Sequence, residues 1–353
     1  MSIRLLVILS ALSLIVSVHT AHAEDKPAVV RIGVASVGTG NRPVSGGSTQ
    51  SVVADQGVLE NEFKKDGIEV KWTYFAGAGP AVNEALANKQ LDFAFQGDLP
   101  AIVGKAGGLG TKLILAQGRL NPIYIAVPSD STAKSLEDLK GKRVAVFKGT
   151  NLQLAFANAL STRGLKESDF KLINMSTFDG NAALLSKDID GQVSANDLFP
   201  LQDRGVARVI YSSRGEIPAT RLDHLLVTEE FEAKYPSVVQ RLVNQVLRVG
   251  ALETDEGDRT RAYQVWTKSG LSYSSWKQEF DADRLAIRHS PLFDEYYRAA
   301  YKRQLKASII LHFVRREFDI DSWLDDKYLK QGLKDLGLEG KWQPLGVDGK
   351  PKS

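Results

Sequence analysis

Four short turns of small residues carry the most distinctive chemistry in this chain: Gly46-Gly47-Ser48-Thr49, Gly77-Ala78-Gly79, Gly97-Asp98 and Gly149-Thr150-Asn151. Each follows a strand-like run or loop and opens a helix-like one. A helix N-terminus offers unpaired N–H groups and a partial positive charge, and Ser and Thr add hydroxyl donors. Glycine lets a ligand approach the backbone. Several such termini converging on one cleft would bind an oxyanion without a metal, although each alone is also an ordinary N-cap. Asp98 raises a sharper question. Pro100 marks the first turn of a helix, so the Asp98 carboxylate is expected to cap it and to face the same cleft. There it would meet an amine, a hydroxyl or a water rather than the anion itself.

Other chemistries are excluded by composition. The chain has no cysteine, so disulfides, thiolate nucleophiles and zinc ribbons are absent. Its 5 histidines include His19 and His22 near the N-terminus; His224, His289 and His312 stand far apart, with no HExxH. No metal or other cofactor is expected. "GTGNRP" has proline where the third glycine of a dinucleotide fingerprint belongs, and neither a Walker loop nor GxSxG occurs. Ser131-Thr132-Ala133-Lys134 fits SxxK, but no SDN or KTG follows, so it reads as a surface turn. "DIDSWLDD" (319–326) lacks the central glycine of a calcium loop and reads as helix capping. The net charge of +3 is too balanced to suggest nucleic acid.

Elements that could position these turns follow from periodicity. Residues 1–23 combine Arg4, an apolar run and the small-x-small pattern Ala21-His22-Ala23, which reads as a cleaved secretory signal with the mature chain starting at Glu24. The remaining 330 residues (353 − 23) exceed what one core usually holds, so two lobes are expected. Strand-like runs at 28–36, 68–75, 91–96, 111–118, 123–128, 142–149, 170–175, 207–213 and 223–228 alternate with helical stretches. A further strand lies within 181–200, and the chain is helical after about residue 230. This alternation predicts largely parallel sheets with helices on both faces. The chain also resembles itself at an offset of 98: Ala85, Leu86, Lys89 and Asp92 match Ala183, Leu184, Lys187 and Asp190. Two similar α/β lobes facing each other would bring Gly97-Asp98 and Asn196-Asp197 into one cleft, since ligands sit at the carboxyl ends of strands.

Several of these stretches resemble the periplasmic substrate-binding proteins of ABC importers, in the aliphatic sulfonate, nitrate and taurine branch. They are "RIGVA", "FAGAGPAVNEALANKQLDFAFQGDLPAI", "VPSDSTAKSLEDLKGKRVAVFKGTNLQLAFANAL", "LLVTEEFEAKYPSVVQRL" and "DIDSWLDDKYL". A Gly-Asp-x-Pro segment, a "DLKGKKVA" strand entry and a "KG(S/T)N" helix start recur in that family. The resemblance implies an α/β, two-lobe periplasmic-binding-protein fold (type II) with the ligand cleft between the lobes. Lobe one would comprise 28–120 and the returning 222–340, and lobe two 121–221, with hinge crossings near Arg119–Asn121 and Ile217–Asp223.

The function implied is capture of a small oxyanion, an organosulfonate first and a sulfate ester, nitrate or phosphonate as alternatives. The partner would be an ABC permease in the inner membrane, and the binding protein a periplasmic monomer with no catalytic activity. An enzyme on the same fold, akin to pyrimidine-precursor synthases, is the alternative; those relatives use histidine and a Cys-rich segment, which is missing here. A ligand-presenting sensor is a third reading. The ligand-binding residues expected are Gly46, Gly47, Ser48, Thr49, Gly79, Gly97, Asp98, Gln117, Gly149, Thr150, Asn151 and Asp197. Two departures from the family pattern fall where a ligand should touch: the Gly/Ser-rich loop 37–50 is long, and "NDLFP" replaces the family's "WDP".

Overall fold

The computed structural model describes residues 26–352; the expected signal at 1–23 lies outside them. Ten strands form two five-stranded sheets. The first has the order β2-β1-β3-β10-β4, with β1 Val29–Val34, β2 Glu69–Tyr74, β3 Phe93–Gly97, β4 Thr111–Asn121 and β10 Arg221–Thr228. The second has the order β7-β6-β8-β5-β9, with β5 Tyr124–Pro128, β6 Arg143–Val146, β7 Lys171–Asn174, β8 Gly191–Ser194 and β9 Ala207–Ser212. The two orders are the same arrangement used twice, with β5 in the place of β10. The chain leaves the first sheet through Pro122-Ile123 and returns to it after β9.

The sheets are mixed rather than largely parallel. β1 pairs parallel with β2 and β3, and β6 parallel with β7 and β8. β10 runs antiparallel to β3 and β4, and β5 antiparallel to β8 and β9. The reason is connectivity. β5 and β10 are the strands that enter from the other lobe. They start beside the crossing, β5 at the end where β8 finishes and β10 at the end where β3 finishes, and must run the opposite way.

Side-chain alternation explains why the second sheet is buried on both faces. Ile125, Val127, Val144 and Val146 pack on Leu152, Phe156 and Leu160 of the helix Asn151–Ser161. Tyr124, Ala126 and Ala145, one residue out of step, pack with Leu184, Leu198 and Phe199. The first sheet joins the C-terminal helices in one large core, including Leu242, Tyr263, Trp266 and Tyr301. Among those helices, Tyr273–Phe280 and Leu285–Arg288 lie in a stretch with no clear sequence signal. The helical stretch near the C-terminus is interrupted, with separate helices at Ile320–Trp323 and Lys327–Asp335. The Asp319 side chain accepts from the Asp321 N–H, so "DIDSWLDD" is a capping segment. No helix among the described residues is long and apolar enough to cross a membrane.

The internal repeat has a physical basis. Arg31, on β1, donates through its backbone N–H (2.8 Å) and Nε (3.0 Å) to Asp92 and through a guanidinium N to the Lys89 carbonyl (2.5 Å). Arg143, on β6, donates through its backbone N–H (2.8 Å) and Nε (3.2 Å) to Asp190 and to the Lys187 carbonyl (3.1 Å). Both lysines adopt positive φ, 56° and 62°. Each clamp ties the start of a first strand to the turn before a third strand. Asp92 is buried, whereas Asp190 and Arg143 are substantially open to water, where an ion pair contributes little. Asp92→Ala should therefore lower the melting temperature clearly more than Asp190→Ala. Thermal denaturation of the two variants side by side checks this; equal losses would contradict it.

Candidate functional site

A cavity of about 620 Å³ lies between the two sheets at the carboxyl ends of their parallel strands. Residues directly after the strands line it: Ala35 after β1, Phe75 after β2, Phe147 after β6 and Ala195 after β8. The C-terminal helices contribute Trp276, Glu279, Phe280, Arg288 and His289. Of the residues expected from the sequence, Gly46, Gly47, Ser48, Gly79, Gly97, Gln117, Thr150, Asn151 and Asp197 line this cleft. Thr49, Asp98 and Gly149 do not.

The three exceptions have local causes. The helix Thr49–Asp55 turns Thr49 inward, and its hydroxyl donates to the buried Glu253 carboxylate. Glu253 also takes His289 Nδ1 at 2.6 Å, so the start of the Gly/Ser loop's helix is moored to the C-terminal region. Gly149 uses its N–H on Gln153 Oε1 at 2.7 Å and adopts φ 76°. Asp98 is fully buried. Gly97, not Asp98, is the N-cap of the helix Asp98–Ala106. One Asp98 oxygen accepts the Leu99 N–H at 2.7 Å, and the other accepts the Leu222 N–H of β10 at 3.0 Å. The carboxylate thus cross-links a helix start to a strand instead of facing the cleft.

Two other expected groups line the cleft with their polar atoms already spent. The Thr150 hydroxyl donates to the Phe147 carbonyl at 2.7 Å and accepts from the Leu152 N–H at 3.3 Å, as an N-cap. Asp197 accepts from Ser194 Oγ (2.6 Å), the Ala195 N–H (3.1 Å) and Asn181 Nδ2 (2.9 Å), and burial pushes its pKa up.

A polar chain joins the lobes along the cleft. Tyr124 OH donates to Glu279 (2.7 Å), and Glu279 accepts from Arg288 (2.7 Å). Arg288 donates to Asn121 Oδ1 (2.9 Å), and Asn121 Nδ2 donates to Asp223 (2.7 Å). Asp223 also accepts from Asn151 Nδ2 across the cleft at 3.1 Å. Arg288 is additionally paired with Asp283, so its charge is already answered inside the protein. Burial raises the Asp223 pKa, and the Arg221 charge opposes that rise.

Other cleft-lining atoms are unanswered. Among the described residues, the buried atoms Asn196 Nδ2, Arg221 Nε, His224 Nε2 and Trp276 Nε1 have no hydrogen-bond partner. Arg221 forms one bond, to the Pro122 carbonyl at 2.9 Å. His224 Nδ1 meets Tyr301 OH at 2.6 Å, and burial pulls its pKa down to about 3, so the ring is neutral at ordinary pH. With Tyr301 as donor, Nε2 carries the proton. The cleft therefore offers N–H donors from both lobes, one of them on a guanidinium. The sequence reading did not single out Arg221, His224 or Trp276. His224 lies inside the strand-like run 223–228, Arg221 lies just before it, and Trp276 lies in the stretch without a clear pattern. Among the described residues, no group of three or more His, Asp or Glu side chains is placed to hold a metal.

Residues 61–252, more than half the chain, match the sequence profile of the NMT1/THI5-like family. The chain belongs to that family. A relative named for aliphatic sulfonate binding, from Bacillus subtilis, is 40% identical over 101 residues, covering 28% of this chain and 30% of that protein. The chain thus spans less than a third of the length of that relative. Among solved structures, a periplasmic sulfonate-binding protein from Methylobacillus flagellatus superposes with a TM-score of 0.75 at 31% identity. That match covers 90% of this chain and 97% of the other. The two-lobe periplasmic-binding-protein fold is therefore shared. The desulfurization enzyme DSZB has the same fold, with a TM-score of 0.65 at 18% identity over 87% of this chain and 99% of that one.

Burial pushes the Asp98 carboxyl up to about 7, with the nearby Asp223 charge adding to the rise and the Leu222 N–H opposing it. The folded state then keeps a proton that the unfolded chain releases near pH ~3.9. The Asp98 contribution to stability is full below that value and is lost as pH rises through 7. Across this window the wild type should lose melting temperature relative to Asp98→Asn. Calorimetric scans of both proteins from pH 4 to 8 test it; parallel curves would show that Asp98 does not titrate there.

Proposed function

We propose that this protein is a periplasmic solute-binding protein that captures a small oxyanion, an organosulfonate foremost, and delivers it to an ABC permease in the inner membrane. The observation that carries the reading is the set of unpartnered buried donors, Arg221 Nε, Trp276 Nε1 and Asn196 Nδ2, around one cleft between two lobes. An oxyanion supplies the acceptors that these groups lack. Hydrogen bonds to charged groups contribute about 1.5–3 kcal/mol each, and micromolar affinity needs roughly −8 kcal/mol. A few such bonds suffice once ordering costs are offset. The names of the sulfonate-binding relatives support the same ligand class.

The lobes would be 28–120 with 222–340, and 121–221, closing about the two crossings as hinged domains do. Gly46, Gly47, Ser48, Gly97 and Asn151 would then form the walls around the anion, with the backbone as donor. The protein would act as a monomer and without turnover. Among the described residues, no serine or threonine hydroxyl is bonded to the cleft histidines; His224 pairs with Tyr301 and His289 with Glu253.

Titration calorimetry with short alkanesulfonates tests the reading, and native mass spectrometry of freshly purified protein identifies any bound anion. Arg221→Ala should weaken binding by about tenfold to a hundredfold, the loss of one charge-assisted bond. Arg221 is in no ion pair among the described residues, but its charge offsets the buried Asp223, so the melting temperature of the variant is measured beside its affinity. Unchanged affinity in that variant would move the anion elsewhere. Binding should be the same with and without EDTA; a loss restored by one divalent ion would contradict the metal-free reading.

A further inference from the structure

Two buried carbonyl oxygens in the cleft point to a second chemical feature of the ligand. Gln96 on β3 is 4% exposed and Gln117 on β4 is 6% exposed, and both line the cleft. Gln96 Oε1 and Gln117 Oε1 have no donor among the described residues. Amide orientation is usually ambiguous, but here the neighbours decide it. Gln117 Nε2 donates to the Ala116 backbone carbonyl at 3.0 Å, which can only accept. Gln96 Nε2 faces Asn83 Oδ1 at 3.4 Å, and Asn83 is oriented by its own Nδ2, which donates to the Pro100 carbonyl at 2.7 Å. Flipping either glutamine would set oxygen against oxygen. Both therefore present an acceptor to the cleft.

The strand order places them together. β10 runs between β3 and β4, and His224 on β10 is the register partner of Gln96 on one side and Ala116 on the other. A Cβ added at Gly79 would collide with the Pro100 ring at 2.2 Å and lie 3.5 Å from Gln96 Oε1, so a glycine is what lets this turn pack so close to Gln96. None of the anion-facing donors named above answers these two oxygens. An oxyanion cannot answer them either, since it offers only further acceptors.

We propose that Gln96 and Gln117 are specificity-determining residues, and that the ligand is an organosulfonate whose organic part carries an N–H or O–H donor. This rests on the proposed function above. Burying an acceptor without a partner is costly, so a site built around two of them discriminates against analogues lacking the donor. A plain alkanesulfonate would occupy the cleft and leave both buried oxygens without a donor.

The test is titration calorimetry of the full mature protein with two matched pairs: 2-aminoethanesulfonate against ethanesulfonate, and 2-hydroxyethanesulfonate against propanesulfonate. At least one donor-bearing member should bind about tenfold or more tightly than its partner. Gln96→Met and Gln117→Met keep the side-chain length and remove the acceptor, and each should shrink the preference to within about threefold. Equal affinities within both pairs for the wild-type protein would overturn the inference while leaving sulfonate binding intact. So would a preference that survives both substitutions. If none of the four sulfonates binds, the proposed function falls and this inference with it. The wild-type comparison needs no variant, so it stands even if a methionine substitution impairs folding.

Discussion

The bond from Asn121 to Asp223, 2.7 Å long, closes the structure at the point where everything else meets. Asn121 ends β4, the last strand before the chain departs for lobe two, and Asp223 lies in β10, the first after it returns. Asp223 is a desolvated carboxylate whose burial costs free energy. It is tolerated because amides from both lobes and the field of Arg221 answer it, while Tyr297 holds its backbone carbonyl at 2.8 Å. From Asn121 the chain of bonds runs through Arg288 and Glu279 to Tyr124, in the other sheet. Arg214 binds the far end of that chain, meeting Tyr124 OH at 3.0 Å and the Glu279 carbonyl at 2.7 Å. The cleft is thus bounded by a continuous network in which charged groups are paired before any ligand arrives. Only the atoms outside that network are available to recognise one.

Small residues serve this arrangement in an unexpected way. Glycine at strand ends suggests close approach of a ligand, yet the closest approaches are between parts of the protein. A Cβ at Gly97 would lie 2.3 Å from Asn151 Nδ2, the group that reaches Asp223. Cβ atoms at Gly46 and Gly47 would lie 2.7 Å from the Trp276 ring. Gly97 therefore lets lobe two dock against β3. The glycine pair lets the 37–50 loop lie flat on an aromatic cluster of Trp266, Trp276 and Phe280.

Much of the fold was legible in the sequence because strands and helices differ in period. All ten strands fall on the runs that alternation marked, and the repeat at an offset of 98 corresponds to the duplicated clamps of Arg31 and Arg143. Strand direction was not legible, because it depends on which lobe a strand enters from, and no local pattern records that. In the cleft, turn composition located loops that line the cavity but not the free atoms. Thr150 and Asp197 look available in sequence and are spent on their own turns. Asp98 looks like a cleft carboxylate and is consumed by Leu222, 124 positions away in sequence. Conversely, Gln96, Arg221 and Trp276 stand out by what fails to reach them. That is a property of three-dimensional packing which spacing does not encode.

The two Arg–Asp clamps sit at the amino ends of their strands, a full strand length away from the residues that line the cavity. Register is thus stitched at the base of each lobe, and the cavity lies at the opposite end. Substitutions at the rim can change what the cleft accepts without loosening the seams that hold strand against strand. An architecture divided in this way is evolvable: descendants of one scaffold can exchange cargo while inheriting the same foundation.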